Sequence, residues 1–459
     1  MKGVALVLVG LAVVRIALAA SLPLVEDEAY YWEWSRHLAA GYFDHPPGIA
    51  WLIALGAPLG RTELAVRLGP VIAGLLATGL LAAVAKDKLR FVLLVAGVPL
   101  LALGGILATP DVPLLLGWAV ATWALLGRRW AWVGVGVGLA GLGKYTGWGF
   151  WPLAVVIAAV DMVLRPRPLA PLLRAVGQGV LVTLLVLAPN LWWNLQHDWA
   201  SVRFQLGHGL DRPPAGAAAF FCAQWGLAGP VFFGVFGAWC GWLALRFVRA
   251  FRCAAEAPRW DELVAFGVSA PVIGFFTAAA TRGSGEANWA APAYFGAALA
   301  LANAVGRWAR AAWIAAGVGL AVTTIVTVHL VHPLATVAGD PTARLGLGRD
   351  LARSVQAWNV APVYTSRYQE AAMIAFYGGV EAYALPGVDR ADQYDLWPVR
   401  WSSPALFVRT FKGGPSATVD AFCAERGGSN VVSEYTKKGD VLQRWQVYQV
   451  AHCGPRATP

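Results

Sequence analysis

The sequence predicts an α-helical membrane protein with about eleven transmembrane helices and a small C-terminal α/β domain. Of its 459 residues, 58% are hydrophobic and 14% are charged, which is too apolar for a soluble protein of ordinary surface. A succession of apolar runs fills the first three quarters of the chain, and mixed polar sequence follows from about Pro341. These observations favour a polytopic membrane protein that ends in a soluble domain.

Most of the apolar runs have the length that a helix needs to cross a bilayer, about 17 to 25 residues. The predicted spans are 4–24, 64–85, 91–108, 112–127, 130–143, 147–164, 175–193, 218–245, 262–280, 289–306 and 311–331. The run 130–143 is short and rich in Gly. The still shorter run 48–60 is predicted to be an interfacial or re-entrant piece rather than a span.

Lys and Arg residues cluster in every second connection between these spans. The clusters are Lys86, Lys88 and Arg90; Arg128 and Arg129; Arg165, Arg167 and Arg174; Arg246, Arg249, Arg252 and Arg259; and Arg307 and Arg310. By the positive-inside rule these connections are cytoplasmic. The N-terminus is then expected inside, and the other connections and the C-terminal domain are expected on the opposite, outer side of the membrane. The formal net charge of +10 therefore reflects topology, and no nucleic-acid partner is expected.

The C-terminal region has the pattern of a soluble α/β domain. Short β-like runs cover Val360–Tyr364, Ala405–Val408 and Val441–Val450, and a helix is predicted over Ser366–Tyr377. The predicted division is a membrane domain at 1–335, which includes an outer loop at 24–63, and a soluble domain at 336–459 on the same outer side. Cys423 and Cys453 could pair as a disulfide in an oxidising compartment.

The most unusual stretch is the first loop, in which residues 27–47 read DEAYYWEWSRHLAAGYFDHPP. Its aromatic residues predict a short interfacial helix over Glu28–Leu38, ended by Gly41. Asp27 and Glu28 either cap this helix or provide a general base at a membrane-surface cleft. Asp44 and His45 form either a turn before Pro or a second acid paired with an imidazole.

Two further loops on the same predicted side carry isolated polar residues. Asp111, in TPDVPL, either caps the following helix or belongs to a site. Lys144 and Tyr145 lie in a Gly-rich break, GLGKYT, where a cation suits an anionic head group or phosphate. The alternative for Lys144 is snorkelling toward lipid head groups.

The last two outer loops combine aromatic side chains with amides and charges. Trp193, Asn194 and His197 lie in PNLWWNLQHDW, and Arg282, Glu286, Asn288 and Trp289 lie in TRGSGEANW. Stacking and edge hydrogen bonds of this kind suit a sugar ring, although an interfacial Trp belt has a similar composition.

No cofactor is required by the sequence, and a divalent metal is the one candidate. Asp44, His45 and His197 are its candidate ligands, although no His pair has a metal-ligand spacing such as HxxxH. Walker, dinucleotide-binding and nucleophile-elbow motifs are absent from the sequence. Nucleotide-dependent chemistry is therefore unsupported.

Taken together, these motifs resemble the GT-C membrane glycosyltransferases. The resemblance covers most of residues 1–330 through DEAYYW, YFDHPP, TPDVPL, GLGKYT, PNLWWN and the ANW loop, and DEAYYW is the most specific. The most similar branch is bacterial glycosyltransferase family 39, which resembles dolichyl-phosphate-mannose protein mannosyltransferases and, more distantly, lipid A aminoarabinose transferases. The resemblance implies a GT-C fold, an undecaprenyl-phosphate sugar donor and inversion at the anomeric carbon.

The resemblance also implies catalytic residues. The first-loop Asp that acts as base in the family matches Asp27, with Glu28 beside it, and the acid between the third and fourth spans matches Asp111. The displacement needs such a carboxylate to activate the acceptor hydroxyl.

A departure from the family concerns the donor phosphate. The dipeptide that closes the first loop binds phosphate, or a metal in some members, and it is Asp44-His45 here where aminoarabinose transferases carry Glu-Lys. Because a leaving phosphate needs a cation, Lys144 and Arg282 become the candidates.

The resemblance places the enzyme in the bacterial inner membrane, with its active site in the periplasm. Its acceptor is expected to be a glycolipid, a polysaccharide or a protein; the missing β-trefoil insertion weakens the case for protein. A lipid transporter or flippase is the main alternative, but it predicts ionisable groups at the bilayer midplane rather than in outer loops. A non-catalytic envelope assembly protein is the second alternative.

Overall fold

The protein is described from a computed structural model that covers residues 2–210, 216–253, 256–283, 285–334, 341–410, 417–437 and 440–455. The helices are α1 (Lys2–Ser21), α2 (Glu26–Arg36), α3 (Gly48–Ala54), α4 (Glu63–Val84), α5 (Lys88–Gly97), α6 (Pro99–Gly104), α7 (Asp111–Leu126), α8 (Trp130–Gly143), α9 (Phe150–Leu164), α10 (Leu169–Gln196), α11 (Ala200–Leu210), α12 (Ala217–Ala228), α13 (Pro230–Cys253), α14 (Trp260–Gly267), α15 (Ala270–Ala279), α16 (Ala291–Ala302), α17 (Arg307–Val331), α18 (Leu347–Gln356), α19 (Tyr368–Met373) and α20 (Ala417–Phe422). The strands are β1 (Val363–Thr365), β2 (Ala382–Ala384), β3 (Ala405–Thr410), β4 (Cys423–Lys437) and β5 (Asp440–Cys453). The predicted domain boundary at 335/336 lies outside the described residues.

The membrane part is a bundle of apolar helices, as predicted. In the described part of the chain, seven helices are long and apolar enough to cross a membrane. They are α1, α4, α10, α13, α17 and two composite helices, Tyr145–Leu164 and Trp260–Ala279. α7, α8 and α12 are shorter apolar helices, and α16 is buried along its whole length. The prediction of a polytopic α-helical membrane protein is confirmed.

Three predicted spans, 91–108, 218–245 and 262–280, are each divided between two helices in the structure. The prediction of one continuous span over 218–245 is wrong, because α12 ends at Ala228 and α13 begins at Pro230. Gly229 between them has φ +85°, a left-handed conformation that Gly adopts without a steric penalty. The run 91–108 is likewise divided between α5 and α6, with Pro99 at the first position of α6, where the missing N–H of Pro costs nothing.

The predicted first-loop helix is α2, and it begins at Glu26 and ends at Arg36. Gly41 lies beyond it, where an added Cβ would lie 2.5 Å from the Trp193 ring. Gly41 therefore permits the loop to approach α10, rather than ending the helix as predicted.

The aromatic face of α2 is buried against protein rather than exposed at a membrane surface, which corrects the interfacial prediction. Tyr30 and Trp34 are at most 1% exposed. The Tyr30 ring lies 4.3 Å from the ring of Tyr368, and its hydroxyl accepts a hydrogen bond of 2.7 Å from the backbone N–H of Gln393. One apolar core thus includes α2, α3 and the C-terminal region.

The C-terminal region forms a five-stranded sheet in the order β2-β1-β3-β5-β4. β1 is parallel to β2 and β3, whereas β5 is antiparallel to β3 and β4. β1, β3, β5 and α19 match the runs and the helix that the sequence predicts. α18 and α19 pack on the sheet and contribute to the core shared with α2, so this region covers the first loop.

A disulfide joins Cys423 and Cys453, which face each other across the β4–β5 pair. We expect the double substitution Cys423→Ser, Cys453→Ser to destabilise the C-terminal region. The bridge joins residues 30 apart in sequence, and closing a loop of this length lowers the conformational entropy of the unfolded chain, which stabilises the folded state by about 3 to 4 kcal/mol. Thermal unfolding in detergent, with and without reductant, measures the loss. A matched Cys222→Ser variant should unfold as wild type, because Cys222 is a free thiol; equal stability of all three proteins would contradict the expectation.

Candidate active site

The carboxylate of Asp27 lies in the first turn of α2, exposed to solvent. Within the described residues it makes no hydrogen bond or ion pair with another side chain. The surrounding protein nevertheless raises its pKa to about 6, first through desolvation and then through the charges of Glu26 and Asp44, while Arg390 opposes the shift. An accessible carboxylate with this pKa can accept a proton near neutral pH.

Glu28, one residue further, has a different environment. Its side chain is fully buried and accepts hydrogen bonds from Nε of Arg67 at 2.8 Å and from the backbone N–H groups of Ala108 at 2.8 Å and Val25 at 3.0 Å. Both carboxylate oxygens have partners, so the geometry supports the capping role that the sequence left open. The geometry does not support the predicted catalytic role of Glu28, because neither carboxylate oxygen is free to accept a proton from a substrate.

Asp44 is held between the first loop and the C-terminal region. Its Oδ2 accepts a hydrogen bond of 2.7 Å from the Tyr30 hydroxyl, and its Oδ1 lies 2.6 Å from Nη1 of Arg390. Beside it, Nδ1 of His45 lies 3.3 Å from Nε2 of Gln205 on α11. Three segments distant in sequence therefore meet at the loop-closing dipeptide.

The predicted site residues of three other outer loops also meet. Nζ of Lys144 lies 2.7 Å from Oδ1 of Asp111, and the Asn288 amide donates to Oδ2 of Asp111 at 3.3 Å. The side chains of Lys144 and Asp111 are 14% and 17% exposed. Asp111 thus binds a cation and an amide from two other loops, and it does more than cap α7.

Tyr145 joins the α8–α9 connection to α10 and α11. Its hydroxyl lies 3.0 Å from the Asn194 amide and 3.0 Å from the Ser201 hydroxyl. The Tyr145 hydroxyl also lies 3.4 Å from Oδ1 of Asn190. The Asn190 amide donates to the backbone carbonyl of Ala40 at 2.9 Å, which links this polar group to the first loop. Oδ1 of Asn194 is buried and has no partner among the described residues, so one acceptor in this polar group remains free.

The remaining predicted ring-binding residues lie on α10 and in the 281–289 loop. His197 stacks on Trp193 at 4.0 Å, and its Nδ1 lies 2.8 Å from the Trp193 carbonyl oxygen. Trp193 is 8% exposed, which leaves little of its face for a sugar. Nε1 of Trp289 donates to Glu286 at 3.2 Å. Arg282 is exposed, and no contact among the described residues brings it to Asp27.

Glu286 connects this loop to Asp27, since its charge contributes to the raised pKa of that carboxyl. Within the described ranges, no group of three His, Cys, Asp or Glu side chains is placed to hold a metal ion. The candidate set of Asp44, His45 and His197 therefore does not converge, because His197 is turned onto Trp193.

Tyr31 was not predicted as a site residue, because in the sequence it is one of several aromatic residues of the first-loop helix. It lies one turn after Asp27, on the same face of α2, and is 8% exposed. Burial raises the pKa of its hydroxyl well above the ordinary value, and the charges of Asp27, Asp44 and Asp111 add to this effect. Asp27 and Asp111, far apart in sequence, thus act on one hydroxyl.

The C-terminal region supplies two more residues that the sequence did not single out. The guanidinium of Arg390 lies over the rings of Tyr368 at 4.5 Å and Phe204 at 4.8 Å. The charge of Asp27 also helps to raise the pKa of Tyr368, after desolvation. No short motif around Arg390 or Tyr368 marks them, because only the fold brings them to the first loop.

Comparison with known proteins identifies the family. Residues 44–193 match the family model described as dolichyl-phosphate-mannose-protein mannosyltransferase. The lipid A galacturonosyltransferase RgtD of Rhizobium johnstonii is 32% identical over an alignment of 362 residues, and the match covers 70% of either chain. The protein is a GT-C membrane glycosyltransferase.

The fold of this GT-C glycosyltransferase agrees with that assignment. Crystal structures of ArnT from Cupriavidus metallidurans, in the apo state and bound to undecaprenyl phosphate, superpose with TM-scores of 0.66 and 0.67. The sequence identity is 16%, and the match covers 99% of either chain. The family resemblance and the enzyme class expected from the sequence are confirmed, in preference to the flippase and assembly-protein alternatives.

Proposed function

We propose that this glycosyltransferase transfers a sugar from a polyprenyl-phosphate donor to a lipid acceptor at the periplasmic face of the inner membrane, with Asp27 as the base. The observation that carries the proposal is the exposed carboxylate of Asp27, which has no hydrogen-bond or ion-pair partner in the described part of the chain and whose pKa of about 6 leaves it largely ionised at neutral pH. The relatives support the substrates: one is named a lipid A galacturonosyltransferase, and ArnT was crystallised with undecaprenyl phosphate.

In the proposed reaction, Asp27 removes the proton from an acceptor hydroxyl. The hydroxyl oxygen forms a bond to the anomeric carbon as the bond from that carbon to the phosphate oxygen breaks, and the configuration inverts. The polyprenyl phosphate leaves with the electron pair of the broken bond. Proton removal by a positioned carboxylate of this kind contributes roughly 10²- to 10⁴-fold to a rate.

Other predicted residues take supporting roles in this proposal. Asp111, Lys144 and Asn288 form one hydrogen-bonded group that orients the donor or acceptor from the opposite wall. Tyr145 and Asn194 provide polar edges for the sugar, with Asn194 contributing a free Oδ1. Arg282, Glu286 and Trp289 belong to a flanking loop that is proposed to bind the acceptor.

The orientation is also part of the proposal. The disulfide between Cys423 and Cys453 suits an oxidising compartment, and the C-terminal region covers the loop that carries Asp27. Both observations favour a periplasmic site. The division into a catalytic membrane domain at 1–335 and a periplasmic domain at 336–459 is proposed on the same basis, with the second domain forming one wall of the site.

The test is transfer by purified protein in detergent. Undecaprenyl-phosphate donors that carry galacturonic acid, aminoarabinose or a neutral hexose are incubated with lipid A, with a polysaccharide or with an unfolded peptide, and products are weighed by mass spectrometry. We expect one added sugar on the lipid and release of undecaprenyl phosphate. Transfer only to the polysaccharide or the peptide would overturn the lipid acceptor, and no turnover of any donor would overturn the donor class.

A further inference from the structure

We propose that Arg390, in the C-terminal region, binds the donor phosphate and supplies the positive charge beside the loop-closing residue Asp44. The inference rests on the proposed function, since it concerns the donor of that reaction. The first loop closes with Asp44-His45, and the negative charge of Asp44 repels a phosphate unless a cation lies between them. Arg390 is paired with Asp44, and a cation at this place can face the leaving group.

The position of Arg390 meets the geometric requirement. The base and the leaving phosphate lie on opposite sides of one carbon atom, so their protein partners must be neighbours. Of the charged groups that act most strongly on Asp27, Glu26, Asp44 and Glu286 are acids and Arg390 is the cation. Lys144 is not among those groups.

The contacts of Arg390 hold its side chain in a fixed orientation. Nη1 lies 2.6 Å from Oδ1 of Asp44 and donates to the carbonyl of Ala391 at 2.9 Å, while the rings of Tyr368 and Phe204 lie under the guanidinium. A guanidinium has five N–H donors in a planar fork. The contacts to Asp44 and Ala391 use some of them, and the side chain remains 35% exposed.

Asp44 is the positioning residue in this arrangement. Its other oxygen is fixed by the Tyr30 hydroxyl at 2.7 Å, and the Tyr30 oxygen accepts from the Gln393 N–H. The Asp44 carboxylate is therefore held in place and orients the guanidinium of Arg390. During transfer the phosphodiester, with one negative charge, becomes a monoester with up to two. A preoriented cation stabilises this developing charge more than it stabilises the bound donor.

The experiment measures binding of undecaprenyl phosphate and of uncharged undecaprenol to purified full-length protein in detergent. We expect Arg390→Ala to weaken binding of undecaprenyl phosphate by about 10- to 100-fold, the range of a lost charge-assisted hydrogen bond, and to leave binding of undecaprenol unchanged. Arg390→Lys should recover part of the loss, because it restores the charge without the fork. The matched control is Arg400→Ala, which removes an exposed arginine paired with Glu381 at 3.4 Å and should bind as wild type.

A second variant distinguishes phosphate binding by Arg390 from a purely structural role of its ion pair, which joins the first loop to the C-terminal region. Asp44→Asn removes the negative charge beside the phosphate but keeps an Oδ1 that can accept a hydrogen bond from Arg390, so the guanidinium stays oriented and undecaprenyl phosphate should bind at least as tightly as to wild type. Equal weakening in Asp44→Asn and Arg390→Ala would show that Arg390 acts only through the ion pair, and would overturn the inference. Wild-type binding without any preference for the phosphate would instead contradict the proposed donor class.

Discussion

Asp27→Asn is expected to lower the transfer rate by about 10²- to 10⁴-fold, with little change in donor affinity. An amide cannot accept the proton of the acceptor hydroxyl, whereas the carboxylate can. Its size and its place in the first turn of α2 are preserved, so the fold should persist. Single-turnover transfer with saturating donor measures the chemical step, and thermal unfolding in detergent checks the fold.

The pH profile gives a second readout for the same residue. Burial and neighbouring acids raise the pKa of Asp27 to about 6, and only the ionised form is a base. Transfer should therefore rise with pH through about 6 and level off above it. Asp27→Asn should lose this limb of the profile.

Glu26→Gln is the matched control. Glu26 lies next to Asp27, and its charge is the second cause of the raised pKa, after desolvation. Removing that charge should move the rising limb to lower pH while transfer at neutral pH persists. A purely structural role for Asp27 would leave the pH midpoint unaffected by Glu26→Gln, and wild-type transfer by Asp27→Asn would rule the base out.

The outer loops were predictable as a group, but their pairings were not. Lys and Arg in alternate connections predicted that Asp27, Asp111 and Lys144 share one side of the membrane. The polar residue types then marked Lys144 and Asn288 as parts of a site. That both bind Asp111 could not be predicted, because Asn288 lies 177 residues from Asp111 and no local periodicity carries such a distance.

The contribution of the C-terminal region was unpredictable for a related reason. Its strands followed from β-like runs, and its helix from spacing. Arg390, however, lies in polar sequence that resembles a surface turn, and its importance comes from Asp44, with which it is paired across the fold. The aromatic residues of the first loop predicted a helix, which is α2, yet the sequence could not distinguish a membrane surface from a covering domain.

Glu28→Ala is expected to destabilise the protein by about 3 to 5 kcal/mol, the range for breaking a buried ion pair. Arg67 is 1% exposed, and besides Glu28 it donates to the carbonyls of Ala19, Leu22 and Pro23. Without the carboxylate, a buried guanidinium loses its counter-charge, and the N–H of Ala108 loses its acceptor. Denaturant or thermal unfolding in detergent measures the loss, which should exceed that of most single substitutions.

Glu33→Gln on the same helix provides the comparison, because Glu33 pairs at 3.0 Å with Arg36, whose side chain is 50% exposed; such pairs contribute at most about 1 kcal/mol. In a double-mutant cycle, Glu28→Gln with Arg67→Met should lower the free energy of unfolding by less than the sum of the single changes, because removing both charges leaves neither unpaired.

If Glu28 only holds α2 in place, transfer per folded molecule should survive in Glu28→Gln at permissive temperature. Loss of transfer with full stability would instead assign Glu28 to the chemistry, and Asp27 would then share its role as the base.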